Sequence, residues 1–339
     1  MSQTTKGEVR IAVVGTGAIA QIVHLPLLGR IQGASVVAVC DRDEAKARAI
    51  AGRMGVPRVF EDDDEAFASD DVDAVILCTP SHMHEEQAVA ALEAGKHVLV
   101  ERPLAMDAKG AEKVIDAAEK AGRTLMVALN NRYRPDILGV KAFVAGGELG
   151  EVYAVRGAWH NRKVRPNRLT WRYRRDTAGG GVFMDLGIQV LDLCLWMLDY
   201  PAVEGISADL HAGEGMEVED AGVALFRLAG GGSISVDVTW SLLGERDRHE
   251  LRLFGSAGTA SIQPVRVFKE VEHATLDVTP RISTGGENTY TASYREQLRD
   301  FIRAAGAETP PEPPREQVEL MRLVTQVYRS AGKGREIRT

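Results

Sequence analysis

The strongest constraint on this chain lies at Gly15-Thr16-Gly17-Ala18-Ile19-Ala20. A short apolar run, Val9–Val14, feeds into this G-x-G-x-x-A string, and a segment with Leu25, Leu27 and Leu28 on its apolar side (18–31) follows it. Strand, glycine turn and helix in that order open a dinucleotide-binding βαβ unit. Gly15 permits the tight turn, Gly17 lets a pyrophosphate approach the main chain, and Ala20 lets the helix pack closely on the strand. The positive end of the helix then favours phosphate charge. Thr16, Ala18 and Ile19 complete the expected phosphate loop. Asp41 closes a second strand (35–40), where a carboxylate can accept hydrogen bonds from an adenosine ribose and so favours NAD. It can equally cap a helix beginning at Glu44. Arg42, next in sequence, can meet the 2′-phosphate of NADP instead.

Further apolar runs at 74–78, 97–100 and 125–129 alternate with helix-like segments at 44–54, 84–93 and 107–121. Short, continuously apolar strands separated by helices predict a parallel sheet covered on both faces, an α/β fold. The pattern changes near Asn130. A crossover helix (134–150), a long strand (151–160) and a very apolar helix (from Gly179 to about Leu198) lead into a region of mostly strands. In 233–242, Ile234, Val236, Val238, Trp240 and Leu242 alternate with small polar residues, as a half-buried antiparallel strand does. Two helices, 292–305 and 315–330, close the chain. At roughly 100–200 residues per domain, 339 residues imply two domains. Their boundary falls at 130/131, and the last helix (315–332) is a candidate to pack back near the first domain.

Asp plus Glu number 48 against 41 Lys plus Arg, a net charge of −7. That balance argues against a nucleic-acid or anionic-membrane partner. No apolar run approaches the ~18 residues of a membrane span. The polar N-terminus lacks the apolar core of a signal peptide, so the cytoplasm is expected. Cys40, Cys78 and Cys194 have no metal-ligand spacing and read as small buried hydrophobes. No metal site is expected.

A series of motifs along nearly the whole chain resembles the Gfo/Idh/MocA oxidoreductases, relatives of glucose–fructose oxidoreductase and inositol dehydrogenase. GTGAIA comes first, then His24-Leu25-Pro26, Thr79-Pro80-Ser81-His82-Met83-His84 and Ala94-Gly95-Lys96-His97-Val98. Glu101-Arg102-Pro103 stands where the family usually has E-K-P. Trp171-Arg172, Gly179-Gly180-Gly181, Asp185-Leu186-Gly187-Ile188-Gln189 and Tyr328-Arg329-Ser330-Ala331 follow. The resemblance implies a Rossmann domain followed by an α+β domain with a large, open, mostly antiparallel sheet that pairs in dimers or tetramers. It implies NAD(P) along the carboxyl ends of the Rossmann strands, with Thr79, Pro80, His84, Glu101, Arg102 and Asn130 among its contacts. The implied chemistry is hydride transfer at a hydroxyl or carbonyl of a sugar, cyclitol or similar polyol. Arg132, Arg162, Trp171, Arg172, Asp185 and Gln189 are the candidate substrate contacts.

Two positions depart from the family pattern. Arg102 replaces the E-K-P lysine, and Gln189 replaces the histidine of D-x-G-x-H. Arginine can steady an alkoxide but stays protonated, and glutamine does not titrate. The proton therefore needs another carrier. Asp185 is the first candidate and His160 the second; Tyr133, Tyr173 or a bound water are weaker ones. On an otherwise apolar helix Asp185, Gln189 and Asp192 are spaced four and three apart, so they share one stripe. The stretch 161–175 carries seven cationic residues, among them Arg162, Lys163 and Arg172, and can recognise a carboxylate or phosphate. The leading expectation is an NAD(P)-dependent oxidoreductase. The alternatives are an NAD-retaining enzyme with no net redox, of epimerase, lyase or glycosidase type, and a ligand-sensing protein that kept the fold without the chemistry.

Overall fold

The computed structural model describes residues 7–163, 170–282 and 286–339. The chain divides into two compact units. One runs to Asn130 and takes in Tyr290–Val318; the other comprises Asn131–Thr289 and Glu319–Thr339.

In the first unit, β1 (Val9–Val14), β2 (Ala34–Cys40), β3 (Arg58–Phe60), β4 (Ala74–Leu77), β5 (His97–Val100) and β6 (Leu125–Val127) form a parallel sheet. Its order is β3-β2-β1-β4-β5-β6. The direction of winding reverses between β1 and β4, which is where such sheets bind ligands, beyond the carboxyl ends of the strands. Both strands are almost entirely apolar and buried, as a sheet covered on two faces demands. The short strand β3 and the helix Asp63–Ala68 carry too little periodicity to be seen in the sequence. Helix Glu44–Met54 is capped by Asp43, whose side chain accepts from the Lys46 N–H at 3.0 Å. Asp41 is therefore not its cap.

The first unit also takes in a segment from near the end of the chain. Tyr294, Leu298, Phe301 and Ile302 on helix Thr289–Ala305 join the core that contains Val13 and Ile76. Their i, i+4, i+7, i+8 spacing gives the helix one continuous apolar side. It is this helix that returns to the first unit, while most of helix Glu316–Lys333 belongs to the second.

Among the described residues of the second unit, nine strands form one sheet. They are β7 (Val152–Arg162), β8 (Val203–His211), β9 (Ala221–Leu228), β10 (Ser233–Leu242), β11 (Arg248–Gly255), β12 (Gly258–Ile262), β13 (Arg266–Val271), β14 (Ala274–Asp277) and β15 (Ile337–Arg338). The order is β14-β13-β12-β11-β7-β10-β9-β8-β15. Neighbours are antiparallel except β7 and β10, which run parallel. The strand at 233–242 is thus antiparallel to one neighbour only. The helical run Arg175–Met197 is, contrary to the sequence reading, long and apolar enough to cross a membrane by length and composition. Its most apolar window is 89% buried inside the protein, so it serves as a core helix. It lies on one face of the sheet: a Cβ on Gly157 of β7 would collide with Val190 and Cys194.

Candidate active site

The Gly15 turn has the geometry expected of a phosphate loop. Gly15 adopts φ +88°, and a Cβ there would come within 2.8 Å of the Cys78 carbonyl. A side chain is excluded on both counts. Gly17 is different: nothing lies within 4 Å of where its Cβ would be. No protein atom requires a glycine there, which is what a residue kept small for an approaching ligand looks like. The turn is braced from β2. Asp41 accepts from the Thr16 N–H at 2.8 Å and the Thr16 hydroxyl at 2.7 Å, and pairs with Lys46 at 2.6 Å. Burial pushes the Asp41 carboxyl up, but hydrogen bonds from Lys46, Asp43 and Thr16 outweigh it and hold the group below its usual range. Arg42 is exposed.

The loops after β4 and β5 are tied together by His84. Its ring nitrogens lie 2.7 Å from the Pro103 carbonyl and 2.9 Å from that of Thr79, beside Pro80. Burial lowers its pKa. Beyond β5, Glu101 lies buried between His24 and Arg102. Oε1 is 2.8 Å from His24 Nε2, and Oε2 accepts from Arg102 Nη1 at 3.0 Å. Burial raises its pKa, yet the His24 hydrogen bond and the charges of His24 and Arg102 prevail and keep it ionised below the ordinary carboxylate value. Arg102 is thereby held at the carboxyl end of the sheet. Asn130, expected at the nucleotide, donates to the Ser293 hydroxyl at 3.0 Å on helix Thr289–Ala305.

The polar stripe of the core helix serves three purposes. Asp185 lines a cavity of about 380 Å³ in the second unit. Gln189, 4% exposed, donates its side-chain amide to the Asp185 carbonyl at 2.9 Å, within its own helix. Asp192 pairs with Arg132, whose Nε donates at 2.9 Å, and with the Tyr200 hydroxyl. Arg132, expected at the substrate, pairs with Asp192 within the second unit. The cavity also gathers Arg162, Lys163 and Arg172 from the basic stretch; Arg165 and Arg168 lie outside the described residues. Tyr173 and Trp240 meet edge to face at 5.5 Å in its wall. Trp171 supports Arg172, whose guanidinium lies 4.9 Å from the Trp171 ring centre.

His160 does not join them. Along β7, Val155, Gly157 and Trp159 pair with Ile234, Val236 and Val238 on the face covered by the helix. Strand alternation sends His160 to the opposite face, where Nε2 sits 3.3 Å from Asp237. Sequence reasoning missed Asp220, Glu214 and Met216 in the cavity wall, and it missed Glu219. Asp220 is placed by the pairing of β9 with β10, where its carbonyl accepts from the Trp240 N–H at 2.8 Å, while Glu214, Met216 and Glu219 lie in the loop between β8 and β9; neither arrangement has a local signal. Among the described residues, the Asp62, Asp63 and Asp64 carboxylates alone have the proximity of a metal cluster, and they lie in an exposed helix start.

The comparisons agree with this architecture. Residues 9–129 match the GFO_IDH_MocA family, described as an oxidoreductase family with an NAD-binding Rossmann fold, and 137–261 match the GFO/IDH/MocA C-terminal domain. The chain is 27% identical to D-glucoside 3-dehydrogenase of Escherichia coli over 79% of its length and 81% of the relative. It is 30% identical to inositol 2-dehydrogenase of Acidothermus cellulolyticus, covering 88% and 85%. GenD2 from gentamicin A biosynthesis, solved in complex with NAD, superposes with a TM-score of 0.84 at 27% identity over 100% and 98% of the two chains. Fold and turn geometry define an NAD-binding oxidoreductase with a Rossmann unit and a second α+β unit. More narrowly, the chain belongs to the Gfo/Idh/MocA family.

Proposed function

We propose that this protein is a cytoplasmic NAD-dependent dehydrogenase that oxidises a secondary alcohol of a sugar, cyclitol or sugar acid. The observation that carries the reading is the cavity of the second unit. There a carboxylate (Asp185), guanidinium groups (Arg162, Arg172) and an aromatic wall (Tyr173, Trp240) converge. Sugars present hydroxyls to the first two and C–H faces to the third. The named activities of the glucoside and inositol relatives support the same substrate class. The Gly15 turn and Asp41 fit a dinucleotide, since Gly17 leaves its outer side open. Residues 15–19 would hold the pyrophosphate and Asp41 the adenosine ribose. NAD, when bound, supplies the hydride acceptor. Asp185 takes the hydroxyl proton as the carbon loses hydride. Arg102, held by Glu101 in the first unit, stays protonated and cannot be the base. Gln189 acts through the Asp185 main chain. Three free cysteines support a reducing compartment. Val223 and Leu225, each 49% exposed on the sheet face opposite the helix, support pairing of two copies.

The test is NADH formation from NAD with methyl glucosides, myo-inositol and sugar acids, for wild type and Asp185→Asn. Turnover by the wild type and a loss of about 10²-fold or more in kcat for the variant are expected. A wild type that binds NAD but turns over none of the panel contradicts the dehydrogenase reading. An unchanged kcat in Asp185→Asn removes Asp185 from the chemistry.

A further inference from the structure

Asp185 closes an N–H bond inside its own helix, to the Gly181 carbonyl at 3.0 Å. The four N–H groups before it, from Gly181 to Met184, stand in the opening turn, where helices leave their donors without internal acceptors. One residue distant in sequence, Glu219, meets three of them. The Glu219 carboxylate accepts through Oε1 from Gly181 at 2.8 Å and from Phe183 at 3.1 Å. Its carbonyl accepts from Val182 at 2.8 Å. The Tyr328 hydroxyl donates to the same Glu219 Oε1 at 2.7 Å and so holds the carboxylate that caps the helix.

The glycines make this possible. A Cβ on Gly180 would overlap the Tyr328 hydroxyl, and one on Gly181 would overlap the Glu219 carbonyl. Glu219 is 4% exposed, and its negative charge at a helix N-terminus has the favourable sign. Burial and the Glu219 charge push the Tyr328 phenol up, so it remains a donor. Neither residue lines the cavity, whereas Asp220, next to Glu219, does.

We propose that Glu219 and Tyr328 are positioning residues: together they fix the main chain at 181–183 so that the Asp185 carboxyl is presented to the cavity. Gln189 braces the same residue from the other side, through the Asp185 carbonyl. The inference rests on the proposed role of Asp185.

The experiment compares Tyr328→Phe with wild type. The phenylalanine keeps the ring that meets Phe183 edge to face at 6.4 Å and removes only the hydroxyl. The carboxyl resonance of Asp185 is followed by ¹³C NMR and assigned by its absence in Asp185→Asn; this readout needs no substrate. The resonance is expected to move while that of Asp73, in the first unit, stays in place. On the best substrate of the panel, kcat is expected to fall about tenfold with NAD affinity unchanged. Should Tyr328→Phe fail to fold, Glu219→Gln, which keeps an acceptor oxygen and drops the charge, is read in the same way. An unmoved Asp185 resonance overturns the inference, whatever happens to the melting temperature. Failure of the underlying reading shows separately, as a wild-type kcat in Asp185→Asn.

Discussion

Two glycine-rich turns in this molecule open helices that begin with a π-helical segment. The turn at Gly15 leads to Ala20–His24, and the turn at Gly179 leads to Phe183–Gly187. Such segments recur at functional sites. The two turns are glycine-rich for different reasons. Beside Gly17 there is open space, which leaves room for the nucleotide of the proposed function. Beside Gly180 and Gly181 there is no space at all, because Tyr328 and Glu219 fill it. On the proposed function, the first helix N-terminus keeps its positive end for the phosphates of NAD. The second has received its anion from the chain itself, in the Glu219 carboxylate. A glycine run before a helix therefore does not by itself mean a phosphate site; what stands against the missing Cβ decides.

Substitutions at the two turns separate these cases. Gly181→Ala should be the most damaging, since its methyl group meets main chain that cannot rotate away. A loss of about 3 kcal/mol or more is expected, read as a fall in Tm of roughly 6–12 °C by calorimetry. A near-normal Tm would mean that the second turn is looser than the contacts imply. Gly17→Ala should do the reverse. The apoprotein should melt within about 2 °C of wild type, while titration calorimetry reads NAD affinity reduced about tenfold or more. Unchanged NAD affinity would place the nucleotide elsewhere.

The smallest effect concerns the ion pairs behind the first turn. The folded-state pKa of Glu101 lies below its unfolded value. Its contribution to stability is therefore fully present above the unfolded pKa and is lost as pH falls through the folded one. The Tm advantage of wild type over Glu101→Gln should shrink by a few degrees between about pH 5 and pH 3. A constant difference across that window would show that His24 and Arg102 do not favour the ionised form.

Much of the first unit is legible in the sequence. Helices Glu44–Met54 and His84–Glu93 and strand His97–Val100 fall where apolar runs and periodicity put them. The family motifs identify the second unit as well. The site was legible only in part. Of the polar stripe, Asp185 lines the cavity, Gln189 bonds within its own helix and Asp192 pairs with Arg132. His160 lies on the strand face opposite the core helix, beside Asp237. Asp41 was a possible helix cap until Asp43 proved to hold that place.

These differences have one physical origin. Local sequence alone determined the β1–glycine–helix opening, the alternation of buried strands and helices, and the presence of a polar stripe on an apolar helix. Sterics, periodicity and backbone preference act over a few residues and can be read in order along the chain. Only the tertiary structure decided which member of the stripe meets a cavity, which is neutralised by Arg132, and which carboxylate, 38 residues away in sequence, caps the helix. A hydrogen bond or ion pair depends on distances of about 3 Å between atoms brought together by sheet order and register. Those distances exist only once β7, β9 and β10 lie side by side.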